Sequence, residues 1–331
     1  MEKYDSIYFT YPVVDMIVPF EGHFPICEDN TFVIDTIKNE PGGPANILIC
    51  AKRLGLEIQV VGYIGDDMYG NYLLTAYQNE GLDTSHIKKI TDFETRKVLV
   101  LVDSSGKHSF ISMVRGTNEP YENKEELIIQ SKSICFSGYY MAIESLRDEF
   151  MEIFRLSRKH HLIIFFDPGP LVSLIPRDYL EEILSGVSVL LLNDNEAFAI
   201  TNVKDVELSA KILAEKTAGL VVVKSGAKGC FITSSTGHEA CWFPGFSVEV
   251  VDTTAAGDSF WSAFMYGFLN NWDLSTVATF ANAVGAAKVK KLGSGTQVPN
   301  FDEVVSILEM AGYTIPEQDK IERKFVNLVL Q

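Results

Sequence analysis

The sequence predicts an α/β protein: a central, mostly parallel sheet between two helix layers, with a second, smaller β-sheet beside it. Three observations predict this. From about residue 133, short apolar runs at 133–137, 162–166, 187–191 and 220–223 alternate with helical patterns at 142–159, 177–185 and 205–217. That is the rhythm of βαβ units whose strands are covered on both faces. Earlier, the runs 95–102 and 108–114 flank Asp103-Ser104-Ser105-Gly106, a hairpin signal outside that rhythm. Later, Val250-Val251 lead through a polar corner into Ala255-Ala256-Gly257-Asp258 and then an apolar run at helical spacing. This reads as a strand turning into a buried helix.

With 331 residues, 47% of them hydrophobic, the chain can bury a sizeable core. A formal net charge of −16 leaves no basic stripe to track phosphates, which excludes nucleic acid as a partner class. The apolar runs are too short to span a bilayer. Met-Glu-Lys-Tyr-Asp at the start has no charged-then-apolar signal pattern. The five cysteines are scattered, form no CxxC and sit among apolar neighbours, as reduced core thiols do. The expectation is a cytoplasmic enzyme with no membrane partner.

In chain order, 6–10 reads as a strand, and the apolar stretch 11–20 is interrupted by Asp15. A buried Asp is either a satisfied structural acid or a ligand for hydroxyl groups. Residues 31–37 alternate as a strand does. Pro41-Gly42-Gly43-Pro44-Ala45-Asn46 then opens a helix that Gly55 stops. A short strand at 58–61 precedes a glycine-bearing loop, 62–70, and a helix ending near Gly81. Together with 13–37, the hairpin 95–114 forms the smaller sheet. The last helices span about 256–271, 275–291 and 302–311, followed by a tail, 312–331.

The chemistry concentrates after the strands, where open parallel sheets bind ligands. Ala255, Ala256 and Gly257 leave no bulk over a helix N-terminus, so its free N–H groups can receive a phosphate. Asp258 at such a place is either a first-turn acid pairing with the dipole or a group that meets a proton. Asn193-x-x-Glu196 is either a capping box or an amide and a carboxylate around a hydrated Mg²⁺. The segment Lys224-Ser225-Gly226-Ala227-Lys228-Gly229 is either a plain hairpin turn or a flat loop under a nucleotide base. There is no GxxxxGK[ST], no GxGxxG after a strand and no HExxH. His160-His161 closes a helix and reads as structural.

Taken together, Asp252-Thr253-Thr254-Ala255-Ala256-Gly257-Asp258, Gly42-Gly43 with Asn46, Gly62 with Gly65-Asp66-Asp67 and Gly70, and Asn193-x-x-Glu196 resemble the ribokinase-like sugar kinases, or phosphofructokinase B family. The first matches that family's DTxxxGD signature. The resemblance implies a three-layer αβα ribokinase-like fold and an ATP-dependent phosphotransferase acting on a hydroxyl of a sugar-like substrate. It implies Asp258 as general base and the N–H groups of Ala255, Ala256, Gly257 and Asp258 as an anion hole. Asn193 and Glu196 would act around Mg²⁺; Lys224, Ser225, Gly226, Gly229 and Asn282 would line the nucleotide pocket. Asp15, Gly42, Gly43 and Asn46 would bind substrate hydroxyls. Asp252 and Thr254, completed by carbonyls near Gly293, would shape a site for a monovalent cation such as K⁺. The smaller sheet, roughly 12–40 and 94–116, would be a lid over the sugar through which a homodimer could form. A nucleoside kinase would instead need an apolar slot around Tyr139, Tyr140 and Met141. A silent sugar-binding protein would have lost the base or the anion corner. The chain departs from the family pattern at Thr10-Tyr11-Pro12, at Gly169-Pro170-Leu171 and at Gln297.

Overall fold

The computed structural model describes residues 3–22, 34, 36–104, 108–113, 119–236 and 240–314. Cys27, most of the strand expected at 31–37, Ser105-Gly106 of the hairpin turn, the segment 115–118 and nearly all of the tail lie outside the described residues.

The main sheet contains, from edge to edge, β13 (Cys241–Phe243), β12 (Cys230–Ser234), β11 (Leu220–Lys224), β10 (Val189–Asn193), β9 (Ile163–Asp167), β8 (Ser131–Ser137), β1 (Tyr4–Thr10), β4 (Ile58–Gly65) and β5 (Asp83–Ile90). All neighbours from β11 to β5 pair in parallel; only β12 and β13 run antiparallel. Val189, Leu190, Leu191 and Leu192 are consecutive and all fully buried. Successive strand residues face opposite sides, so both faces of the sheet must be covered.

The cover consists of α1 (Pro44–Leu54), α2 (Met68–Asn79), α3 (Lys124–Ile128), α4 (Gly138–Met141), α5 (Glu144–Lys159), α6 (Arg177–Leu184), α7 (Asp194–Thr201), α8 (Val206–Ala214), α9 (Ala256–Leu269), α10 (Leu274–Val289) and α11 (Phe301–Met310). None of the described helices is long and apolar enough to cross a membrane. The smaller sheet has the order β3 (Lys38–Gly42), β2 (Val13–Pro19), β6 (Arg96–Val102), β7 (His108–Ser112). This is the predicted fold class.

Local chemistry explains the elements nearest the ligand end. Pro44 starts α1, where its missing N–H costs nothing, and Gly55, at φ 113°, ends it by donating to the carbonyls of Ala51 and Lys52. α9 buries Trp261, Phe264 and Met265, and Ser262 ties it to α1 by donating to the Ile47 carbonyl at 3.0 Å. Because β1, β4 and β8 to β11 run in parallel, Thr10, Ser137, Asp167, Asn193 and Lys224 all end at one edge.

Three expectations change. β4 runs on through Gly62 to Gly65, where a loop was expected. A Cβ on Gly62 would stand 2.5 Å from the Thr10 carbonyl oxygen, and one on Gly65 2.2 Å from that of Phe93, so these glycines serve close packing in a strand. β5 was not anticipated, because Asp83-Thr84-Ser85-His86 is an edge segment without an apolar run. The strand beside β2 is Lys38–Gly42, which accommodates Pro41 because it lies at a sheet edge.

Candidate active site

Asp258 sits in the first turn of α9 and accepts a hydrogen bond from Asn46 Nδ2 at 2.8 Å. The Asn46 Oδ1 is itself taken by the Gly295 N–H at 2.7 Å, so the amide can only present its NH₂ to the carboxylate. Asp258 keeps partial access to solvent, yet protein surrounds most of it. Desolvation pushes its carboxyl up to about 6; the bond from Asn46 opposes this, the charge of Asp167 adds to it, and Lys224 and Lys288 oppose it.

The smaller sheet contributes a second acid. Asp15 on β2 is buried and accepts from the Ser294 hydroxyl at 2.8 Å. Burial, together with the charges of Asp258 and Glu40, holds it at about 6 despite the Ser294 bond. A Cβ on Gly42 would lie 2.0 Å from Asp15 Oδ1, so only glycine fits opposite this carboxylate. Next to it, Gly43 caps α1 at φ 50°, a conformation glycine adopts freely. The structure thus brings Asp15, Gly42, Gly43, Asn46 and Asp258 together.

The corner before α9 has Ala255 in the left-handed region at φ 61° and no side-chain cap. Of the four N–H groups expected to face open space, that of Ala256 does not. It donates to the Thr253 carbonyl at 3.2 Å and closes the turn. The N–H groups of Ala255, Gly257 and Asp258 have no hydrogen-bond acceptor among the described residues. Lys224 reaches this corner from β11: a Cβ on Gly257 would stand 3.3 Å from its Nζ, which donates to Asp167 Oδ2 at 2.9 Å. Burial disfavours the ammonium, but the charges of Asp167 and Glu196 outweigh that and raise its pKa.

Asn193 and Glu196 form a true capping box on α7: Asn193 Oδ1 accepts from the Glu196 N–H at 2.9 Å, and Glu196 Oε2 from the Asn193 N–H at 2.8 Å. The structural reading is therefore correct, and Glu196 is buried at the start of α7. Burial and then the Asp167 charge push Glu196 up to about 7, against the opposing charge of Lys224. The Lys224 ammonium already answers Asp167 at 2.9 Å, so Glu196, whose Oε2 accepts from the Asn193 N–H, is the carboxylate left to act around a hydrated Mg²⁺. No group of three or more His, Cys, Asp or Glu residues that could hold a metal occurs among the described residues. The protein would thus supply part of the shell and leave the rest to water and phosphate oxygens.

In the expected nucleotide loop, Ser225 is half-buried and Gly226 exposed at φ 55°. Gly229, at φ 92°, lies so close to the chain after β13 that a Cβ would meet the Phe243 carbonyl oxygen at 2.0 Å. Asn282 on α10 does not hold out a free amide. Its Nδ2 donates to the carbonyls of Phe243 and Pro244, at 3.1 Å each, and fixes the backbone that Gly229 packs against.

The expected cation site is built differently. Asp252 is buried, and its oxygens accept from the N–H groups of Thr254 (2.8 Å) and Gly293 (2.7 Å). Gly293 therefore turns its N–H toward the carboxylate. From the smaller sheet, His108 Nε2 lies 3.1 Å from both Asp252 Oδ1 and Thr254 Oγ1. Burial alone would raise the Asp252 carboxyl; the two N–H donors outweigh it and hold the pKa below the usual value. Two N–H groups and the His108 ring thus surround the carboxylate.

Sequence reasoning missed Asp167, His108, Lys288 and Ser294. Asp167 follows a parallel strand directly, which was a signal; Lys288 begins the basic run Lys288-Val289-Lys290-Lys291 and does not stand out from it. Of the three residues expected around a base slot, Tyr140 and Met141 are core residues and Tyr139 is half-buried. Tyr140 shares a hydrogen bond with Thr10 Oγ1 at 2.6 Å and stacks on Phe150 with ring centroids 4.5 Å apart.

A parallel sheet, a small second sheet and an acid in the first turn of an uncapped helix thus make up the site. The chain belongs to the pfkB family of carbohydrate kinases, whose pattern matches residues 12–300. It is similar to an ATP-dependent 6-phosphofructokinase of Thermoanaerobacterium thermosaccharolyticum, 27% identical over 93% of this chain and 95% of that one. It is also similar to a ribokinase of Haemophilus influenzae, 26% identical over 82% of this chain and 87% of that one. Its fold matches the adenosine kinase structure from Sinorhizobium meliloti with a TM-score of 0.80 and 20% identity, covering 93% of this chain and 99% of that one.

Proposed function

We propose that the protein transfers the γ-phosphoryl group of ATP to a hydroxyl, a primary one, of a sugar or sugar derivative. The observation that carries this is the shared first turn of α9: the Asp258 carboxylate, with its raised affinity for a proton, stands beside the unpaired N–H groups of Gly257 and Asp258 and the Lys224 ammonium. Asp15 and Asn46 hold substrate hydroxyls at the bottom of the cleft. Asp258 takes the proton of the attacking hydroxyl as its oxygen bonds to the γ-phosphorus, and the bond from phosphorus to the bridging oxygen of ADP breaks. The N–H groups of Ala255, Gly257 and Asp258 and the Lys224 ammonium stabilise the charge that develops on the transferred group. Glu196 and Asp167 would hold hydrated Mg²⁺ near the phosphates, where it would neutralise phosphate charge.

The smaller sheet is the lid: it already carries Asp15 to the site and excludes water when it closes. Its exposed apolar residues are covered by the lid of a second copy, making a homodimer. A nucleoside acceptor is the weaker reading, because Tyr140 and Met141 are buried in the core. A silent binding protein would not need to keep both base and corner.

The test is a panel of sugars, sugar phosphates and nucleosides with ATP and Mg²⁺, run on the wild type and on Asp258→Asn. Phosphorylation of a sugar is expected, with the variant slower by about 10²–10⁴ while an ATP analogue still binds. Turnover of the variant within about tenfold of the wild type would give the proton to another group.

A further inference from the structure

Three strands of the smaller sheet each send a polar side chain to the loops around the site. From β3, Glu40 accepts from the Thr296 hydroxyl at 2.7 Å; from β2, Asp15 accepts from the Ser294 hydroxyl at 2.8 Å. From β7, His108 Nε2 lies 3.1 Å from Asp252 Oδ1 and 3.1 Å from Thr254 Oγ1. Because β3 pairs with β2, β2 with β6 and β6 with β7, these contacts belong to one hydrogen-bonded body. The first two meet the turn after Gly293. The third meets the turn that leads into α9.

That second turn needs to be held. Ala255 stands at φ 61°, where a residue with a Cβ is strained unless its surroundings fix it. Within the turn, Asp252 Oδ1 accepts from the Thr254 N–H at 2.8 Å, and the Thr253 carbonyl from the Ala256 N–H at 3.2 Å. Asp252 Oδ2 is anchored by the Gly293 N–H at 2.7 Å. Asp252 is held ionised and can only accept, so His108 Nε2 carries the hydrogen between them. The same nitrogen meets the Thr254 hydroxyl, so His108 grips the turn at both its first and its third residue. Its side chain is 12% exposed, which shields these contacts from competing water.

We infer that His108 is a positioning residue: reaching over from the smaller sheet, it fixes the turn 252–255 and so aims the N–H groups of Gly257 and Asp258 at the transferred phosphoryl group while that sheet is docked. Asp15 lies on the same sheet, so binding of the acceptor and setting of the anion hole are mechanically linked. The inference rests on the kinase reading for its effect on rate, though not for the hold on the turn.

The test compares full-length wild type, His108→Gln and His108→Asn. The amide nitrogen of Gln reaches to the place of the imidazole Nε2 and can donate there; that of Asn falls short. With an acceptor that the wild type phosphorylates, His108→Asn is expected to lose at least about tenfold in kcat while the acceptor KM changes by less than about twofold. His108→Gln is expected to come within about threefold of the wild-type kcat, a rescue that a mere packing role would not give. Amide exchange over residues 252–256, followed by mass spectrometry without any ligand, supplies a readout independent of activity. It should be at least about fivefold faster in His108→Asn than in the wild type or His108→Gln. A fully active His108→Asn, a His108→Gln no faster than His108→Asn, or exchange over 252–256 equal in all three proteins would overturn the inference. If the wild type phosphorylates no acceptor, the kinase reading fails, and the exchange still decides whether His108 holds the turn.

Discussion

Asn46 and Asp258, 212 residues apart in the chain, meet through a single hydrogen bond of 2.8 Å, and the Gly295 N–H on the other side of the Asn46 amide sets its direction. A donor aimed at an ionised carboxylate favours the ionised form. The bond therefore tunes the acid that we propose as the base. In the wild type the acid limb of kcat/KM should lie near 6, since only the unprotonated base works. Asn46→Leu removes the donor and should move that limb upward by roughly one unit. A pH profile of each protein checks this; an unmoved limb would mean that Asp258 is not the group titrating.

Asp15 gives a stability test with a definite sign. Its carboxyl is raised from 3.8 to about 6, mainly by burial. Between those values the folded protein binds a proton that the unfolded chain has released, so stability falls as pH rises through the window, and the cost persists above it. Asp15→Asn can still accept from Ser294 and carries no charge. It should be more stable than the wild type near neutral pH by about 1–3 kcal/mol, with the difference fading below about pH 4. Thermal unfolding at several pH values measures it; a variant that is less stable at every pH would contradict the linkage.

Gly42 should discriminate between substrate and nucleotide. A Cβ there would stand 2.0 Å from Asp15 Oδ1. Its φ is not in the left-handed region, so Gly42→Ala strains no backbone and must displace the carboxylate instead. We expect KM for the acceptor to rise at least about tenfold while ATP-analogue affinity stays unchanged. Gly226→Ala is the contrast: at φ 55° with nothing near its Cβ, it should cost about 1 kcal/mol of stability and leave the acceptor KM alone. Isothermal titration with each ligand separates the two outcomes.

These predictions use contacts that the sequence signals unevenly. The parallel strands were legible because residues such as 189–192 are apolar without alternation, which only a doubly covered strand sustains. The edge strand β5 was not, since Asp83-Thr84-Ser85-His86 contributes little to any core. The corner before α9 could be located from small residues alone. The inward turn of the Ala256 N–H could not, because it follows from Ala255 adopting φ 61°. Gly293 was placed beside Asp252 by the resemblance, but with its carbonyl and not its N–H facing the acid; His108 could not be read, for it comes from a distant segment that only the fold brings to this carboxylate.

The smaller sheet ends at β7, where Phe110 and Ile111 are each 58% exposed although neighbouring strand residues face opposite sides. An apolar edge strand invites a partner. If a second copy is that partner, the wild type should scatter light as a dimer, and Phe110→Asp combined with Ile111→Lys should scatter as a monomer with its helical content intact. A wild type that stays monomeric at high concentration would remove the dimer from the proposal.

Closure of that sheet is the last expectation. It carries Asp15, which we propose binds the acceptor, and it brings His108 to the corner, so it spans both halves of the proposed site. Its main-chain hydrogen bonds are internal, β2 with β3 and β6 and β6 with β7, and should open independently of the main sheet. Binding of the acceptor links Asp15 to Asn46 and Asp258 through one ligand and should suppress that opening. Hydrogen exchange in residues 96–102 and 108–112 should therefore slow when sugar and an ATP analogue are added, while 189–193 in the main sheet, already fully buried, should not change. The ATP analogue alone should give less protection than the sugar, because no residue proposed for the nucleotide lies on the smaller sheet. Equal protection by either ligand, or none by both, would mean that the smaller sheet is a fixed wall and not a lid.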